Sequence, residues 1–270
     1  MAELKSGTKD NELLKRLLSS AVLVAIACWV IFKAPPMLYF LVVEAFILLG
    51  LNEYHGLVAK RDAAPHRALL LILGALAPFA LESGATPFYL MAALSVLFFS
   101  KASQKLLAEG LRSASAGLLG LVWIALLFSY IAELRYVAQG EALVFFALFA
   151  TKMGDAGAYF VGKHWGKRKF VHHISPKKTW EGAVGQIAVT VLASLVSNAY
   201  LDFSWHHLWI LGFLLGILAQ MGDLLESMVK RNLDAKDSGL LPGLGGILDV
   251  LDSVLFTVPF TYFYVTAYIY

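Results

Sequence analysis

The sequence predicts an all-α protein, a polytopic integral membrane bundle of about nine transmembrane helices, and three observations carry that prediction. Hydrophobic residues fill 59% of the 270 positions and charged residues only 15%, against roughly 45–50% and about 25% in soluble domains. Apolar runs long enough for a helix to cross about 30 Å of hydrocarbon recur along the chain. Lysine and arginine gather in alternate loops between these runs. Surplus apolar surface of this kind needs lipid as its solvent, where backbone polar groups must be satisfied internally.

The runs fall at about residues 17–33, 37–52, 68–81, 87–100, 114–132, 142–162, 183–201, 207–227 and 250–270. Lys15 and Arg16 precede the first in the manner of a signal peptide, yet it continues through Cys28 to Phe32 and further spans follow, which favours a retained anchor. The second to fourth are short or interrupted, by Glu44 and Pro78, and leave room for tilted or re-entrant pieces. With the amino terminus cytoplasmic, 19 of the 22 Lys and Arg fall on the cytoplasmic side. Only Lys33 and Arg135 fall on the other side, and Lys152 lies inside a span. The positive-inside rule therefore supports the helix count and places the carboxyl terminus outside.

Composition excludes several function classes. Cys28 is the single cysteine, so neither an intramolecular disulfide nor a cysteine-based zinc site is expected. A net charge of +3 is too small to argue for nucleic acid as a partner. There is no P-loop, no Ser/His/Asp triad order and no dinucleotide fingerprint. His164, His172 and His173 sit in a basic loop and His206 and His207 on the opposite side, which argues against a histidine metal centre. No internal repeat or separate soluble domain is visible, so any active site must be built at the membrane surface.

Polar residues divide the chain into two regions, 1–140 as transmembrane scaffold and 141–270 as the functional region. In the first, Glu44, Asn52, Glu53 and His55 read as helix-packing or interfacial residues. In the second, ionisable residues punctuate the spans, and each is a functional hypothesis because burying it unpaired costs several kcal/mol. Asp223, Glu226 and Lys230 are spaced three and four apart and share one face of a continuing helix 8. Asp249 and Asp252 lie one turn apart at the start of the last span. Carboxylates from two helices near Lys230 and Arg231 suit an oxygen-ligated divalent ion holding a polyphosphate. Interhelical salt bridges would use the same residues. The turn Pro242-Gly243-Leu244-Gly245-Gly246 can free backbone N–H groups for phosphate oxygens or permit a sharp re-entry. Gly154 to Tyr159 forms a second polar stretch. The adjacent Lys177 and Lys178 in Ser175-Pro176-Lys177-Lys178-Thr179-Trp180-Glu181-Gly182 suit a multiply charged phosphate, whereas Lys163, Lys167, Arg168 and Lys169 read as topology determinants.

These segments resemble the phosphatidate cytidylyltransferases, the integral membrane CDP-diacylglycerol synthases. The resemblance rests on Gly222-Asp223-Leu224-Leu225-Glu226-Ser227, Lys230-Arg231, Lys236-Asp237-Ser238-Gly239, Leu241-Pro242-Gly243, Gly245-Gly246, Asp249 and Asp252-Ser253, with Asp155–Tyr159 and Ser175–Gly182 upstream. It covers roughly residues 150–255; residues 1–140 match only in hydropathy. Leu244 stands where members often carry histidine, and Val250 where many carry a basic residue.

The resemblance implies transfer of the cytidylyl group of CTP to phosphatidate, giving CDP-diacylglycerol and pyrophosphate. It implies Asp223 and Asp249 as principal Mg2+ ligands, with Glu226 and Asp252 as further metal candidates, and leaves room for a second cation. Lys178, Lys230 and Arg231 join the two aspartates as catalytic candidates. Candidate substrate contacts are Ser175, Lys177, Lys178, Thr179, Lys230, Arg231, Asp237, Ser238, Gly243, Gly245 and Gly246. The expected partners are CTP, phosphatidate and membrane lipids, without nucleic acid, and the sequence leaves a homodimer open. The expected location is a bacterial inner membrane with the active site facing the cytoplasm. The alternatives are a cytidylyltransferase for an isoprenoid or ether lipid phosphate and, from another class, an ion or solute transporter.

Overall fold

The computed structural model describes residues 24–61, 64–102, 107–171, 173–233 and 246–270. The amino-terminal part contains α1 (Val24–Lys33), α2 (Pro36–Val58), α3 (Arg67–Glu82), α4 (Thr86–Ala102) and α5 (Leu107–Gly120). A π-helical stretch, Leu121–Leu126, joins α5 to α6 (Leu127–Tyr136). There follow α7 (Gly140–Trp165), β1 (Lys169–Val171), β2 (Ser175–Thr179), α8 (Trp180–Val196), α9 (Trp205–Asn232), α10 (Ile247–Leu251) and α11 (Val254–Tyr268).

Among the described residues, six helical stretches are long and apolar enough to cross a membrane: Pro36–Val58, Ala108–Tyr136, Gly140–Trp165, Trp180–Ala199, Trp205–Asn232 and Ile247–Tyr268. Helices α1 and α4 are apolar but shorter, and α3 has 16 residues. Several bounds differ from the hydropathy reading because charged turns remain helical. Helix α9 runs five residues past the expected end, to Asn232, and places Lys230 and Arg231 in its last turn, where cations meet the negative end of the helix dipole.

The chain is not purely helical. Lys169–Val171 and Ser175–Thr179 form an antiparallel hairpin, with Lys169 opposite Thr179 and Val171 opposite Ser175. A two-stranded sheet has only edges, so Pro176 costs it no interior hydrogen bond. Phe170 closes edge-on against Trp180, with ring centroids 4.5 Å apart, which fastens the hairpin to the start of α8. The side chain of Thr179 caps that helix by accepting from Gly182 N at 3.1 Å.

Helices α7, α8 and α9 pack in succession, and α11 lies against α6, α7 and α9. Glycines set how closely these helices approach. A Cβ added at Gly212 would meet Val191 Cα at 2.7 Å, and one at Gly216 would meet Ile187 Cα at 2.8 Å. Spaced four apart, they let the α9 backbone lie directly on α8, the small-xxx-small packing of membrane helices. The core is a continuous apolar cluster that includes Ile47, Leu51, Leu121, Ile124, Phe146, Leu208 and Leu255. Most buried hydroxyls donate to backbone carbonyls, and Thr151 Oγ1 also donates to Thr257 Oγ1 at 2.8 Å, joining α7 to α11. At the start of α7, Arg135 donates to the carbonyls of Ile31 and Ala34, pairs with Glu141 at 3.2 Å and lies 4.5 Å over the ring of Tyr39.

Gly216→Val should lower stability by about 1–3 kcal/mol, because the contact atom is backbone and cannot swing aside. Thermal unfolding in detergent followed by helical circular dichroism would check this, and an unchanged midpoint would show that α8 and α9 can separate without loss.

Candidate active site

The site is assembled from four helices and the hairpin. The spacing of Asp223, Glu226 and Lys230 along α9 does place them on one side. Glu226 and Lys230, both buried, form an ion pair of 2.6 Å. Lys230 Nζ also donates to Asp249 Oδ1 on α10, and Asp249 Oδ2 accepts from Gly246 N at 2.7 Å. A buried ammonium left unpaired would be costly, and here two carboxylates from different helices hold it.

Carboxylate oxygens of Asp223, Glu226 and Asp252 all lie within 4.8 Å of one another. Three hard oxygen donors from α9 and the carboxyl-terminal end of α10 suit a divalent cation of the magnesium or calcium type. Asp249 stands beside this group, with Lys230 and Gly246 as its partners. The neighbouring network on α7 continues it. Lys152 Nζ reaches Asp155 Oδ2 and Ser253 Oγ, each at 3.1 Å, and Asp252 Oδ1 at 4.0 Å. Asp155 also accepts from Gln186 Nε2 at 3.0 Å and from Ser253 Oγ at 2.9 Å. Close packing permits this meeting of helices: a Cβ on Gly222 would collide with the carbonyl oxygen of Asp252.

Lys178 on β2 bridges to Asp223 Oδ2 at 2.8 Å. Five carboxylates, Asp155, Asp223, Glu226, Asp249 and Asp252, thus surround three ammonium groups, those of Lys152, Lys178 and Lys230.

Beside this cluster lies a cavity of about 390 Å³, lined by Asp155, Tyr159, Lys163, Phe170, Lys177, Lys178, Gln186, Gln220 and Asp223, among others. That volume is in the range of small-molecule sites. Lysines and aspartates line it together, and Tyr159 and Phe170 add aromatic surface.

Among the candidate residues, Lys177 and Lys178 line the cavity, and Ser175 sits at the far end of β2. Thr179 also lines it, with its hydroxyl engaged as the cap of α8. Arg231 Nε donates to Ile174 O at 3.3 Å and ties the end of α9 to the hairpin turn. Gly246 lies at the start of α10. Asp237, Ser238, Gly243 and Gly245 lie outside the described residues. The structure adds Lys152, Asp155, Gln186 and Ser253, and it adds Glu53 from the amino-terminal region. Glu53 is buried, and its Oε2 accepts from Ile247 N at 2.6 Å, so it holds the first turn of α10. The expectation of a helix-packing role for Glu53 understated this contact. For Lys152, the signal was its charge inside a span; for Glu53 no sequence signal separated it from Glu44.

A model of the Cytidylyltransferase family matches residues 14–268 of the chain. A phosphatidate cytidylyltransferase of Bacillus subtilis (strain 168) is 43% identical over 149 residues, 54% of this chain and 55% of its own. One of Mycobacterium leprae is 40% identical over 149 residues, 54% of this chain and 47% of its own. One of Synechocystis sp. is 31% identical over 254 residues, covering 81% of this chain and 85% of its own. The chain thus spans about half the length of the first two relatives and most of the third.

Glu53→Ala should destabilise the protein by about 1–3 kcal/mol by leaving the Ile247 N–H buried without an acceptor. Glu53→Gln, which keeps a carbonyl oxygen, should restore most of the loss. Equal unfolding midpoints for the Ala variant and the parent would remove Glu53 from the support of α10.

Proposed function

Because the chain belongs to the cytidylyltransferase family, we propose that it transfers the cytidylyl group of CTP to phosphatidate, releasing pyrophosphate and CDP-diacylglycerol. The observation that carries this reading is the junction of a lysine-bearing cavity with the carboxylate group of Asp223, Glu226 and Asp252. Both reactants are polyanions, so charge neutralisation is the first requirement and positioning the second. The names of the relatives favour phosphatidate over an isoprenoid or ether lipid phosphate.

A non-bridging oxygen of the lipid phosphate attacks the α-phosphorus of CTP in line with the bond to the β-phosphate. A new P–O bond forms, and the electron pair of the breaking bond leaves with pyrophosphate. The attacking monoester is already largely ionised at neutral pH, since its second pKa is about 6. No general base is then required. Lys177 and Lys178 receive phosphate oxygens in the cavity. Lys230, gripped by Glu226 and Asp249, is a fixed positive charge that holds the carboxylates of α9 and α10 in place. Arg231 keeps the hairpin, and with it both cavity lysines, against α9. Asp223, Glu226 and Asp252 would hold a divalent cation, Mg2+ by the family's chemistry, which when bound neutralises and orients the polyphosphate. In this arrangement Asp252 ranks with Asp223 as a ligand, and Asp249 acts through Lys230.

Nine spans, a cytoplasmic amino terminus and an outside carboxyl terminus complete the reading, supported by the partition of basic residues. Cavity and carboxylates then face the cytoplasm of a bacterial inner membrane, where CTP is available, and residues 141–270 form the catalytic region on a scaffold of residues 1–140. Glu53 makes the scaffold a contributor to the site.

Detergent-purified protein should release pyrophosphate from CTP only when both phosphatidate and Mg2+ are present, and EDTA should abolish release. Release with a polyprenyl phosphate but not with phosphatidate would overturn the choice of lipid. Asp223→Asn and Asp252→Asn should each lower kcat by about a hundredfold or more without loss of membrane insertion; parental turnover in either would remove that residue from the cation site. Lys178→Ala should raise KM for CTP about tenfold, and unchanged kinetics would leave it only a topological role.

A further inference from the structure

We propose that Lys152 is a substrate-binding residue whose ammonium takes a phosphate oxygen at the inner end of the site. The proposal rests on the cytidylyltransferase reading and adds a contact outside the lysine pair of β2. Helix α7 runs from Gly140 to Trp165, so Lys152 stands about 18–20 Å from either end, close to the middle of the span. Its side chain is nonetheless 42% exposed. An ammonium facing hydrocarbon at that depth would be strongly disfavoured, so the open face of Lys152 belongs to a water-accessible part of the site.

The geometry leaves one donor direction for a ligand. An ammonium has three N–H donors. Two are directed at Asp155 Oδ2 and Ser253 Oγ, each 3.1 Å away, and Asp252 Oδ1 at 4.0 Å is beyond hydrogen-bond reach. The partners also fix the side chain, because Ser253 and Gln186 both donate to Asp155. Lys152 is therefore held in position with a donor to spare, one turn deeper on α7 than cavity-lining Asp155. The anions that enter this site by its chemistry are phosphates, one carried by the nucleotide and one by the lipid.

The test compares the parent protein with Lys152→Met and Lys152→Arg in three titrations: CTP, phosphatidate in mixed micelles, and Mg2+. Lys152→Met should raise KM for one substrate about tenfold or more, with Lys152→Arg much closer to the parent and the Mg2+ half-saturation unchanged. A rise confined to CTP assigns the contact to the nucleotide, and one confined to phosphatidate assigns it to the lipid. Unchanged KM values, or a shift in Mg2+ dependence alone, would overturn the proposal and make Lys152 a neutralising partner of the aspartates. Should Lys152→Met fail to insert, Lys152→Gln removes the charge while keeping N–H donors and carries the same comparison. Absence of turnover in the parent would sink the cytidylyltransferase reading alone. Equilibrium binding of CTP, and separately of phosphatidate in nanodiscs, would then read the Lys152 contact directly, and equal binding by parent and Met variant would refute it.

Discussion

The ammonium of Lys230 is the joint on which the site depends. It lies buried between Glu226 on its own helix and Asp249 on the next, and an unpaired charge at that depth would cost several kcal/mol. The pairing cannot be relaxed without leaving a buried charge exposed to low dielectric, so α9 and α10 are held together at one height. That alignment carries further. It turns Glu226 toward Asp223 and Asp252, and Asp249 in turn receives the N–H of Gly246 at the start of α10. One cation thus organises carboxylates on two helices, and these shape the rest of the site.

Helical periodicity and charge made much of this arrangement legible. Spacings of three and four residues put Asp223, Glu226 and Lys230 on one side of α9, and helix geometry alone suffices for that inference. Long apolar runs marked the spans because hydropathy integrates over many residues. Their ends were less visible, since Lys230 and Arg231 interrupt the apolar pattern while remaining helical. The hairpin from Lys169 to Thr179 escaped notice because its strands are short and basic, and its closure depends on Phe170 meeting Trp180. The different neighbours of Asp249 and Asp252 were also out of reach: both lie near the start of the last span, and only tertiary contacts bring Lys230 to one and the carboxylates of Asp223 and Glu226 to the other.

The division between scaffold and functional region is less sharp than the distribution of charges suggests. Glu53 on α2 receives the N–H of Ile247, so the helix that carries Asp249 begins on a carboxylate from the other half of the chain. Helix α11 likewise packs on α6 as well as on α7 and α9. Such long-range contacts leave no trace in local sequence, because an acid that supports a distant helix has the same immediate neighbours as one that only packs.

The ion pair between Lys178 and Asp223 gives the site an internal counter-charge. An anion that draws Lys178 toward itself leaves Asp223 uncovered, and a cation that engages Asp223 releases Lys178 to meet an anion. Each event removes part of the electrostatic cost of the other. Affinity for the two ligands is then linked, and by thermodynamic reciprocity each strengthens the other by the same factor. On the proposed reading, nucleotide and cation would then enter more readily as one neutralised complex than either charge would alone.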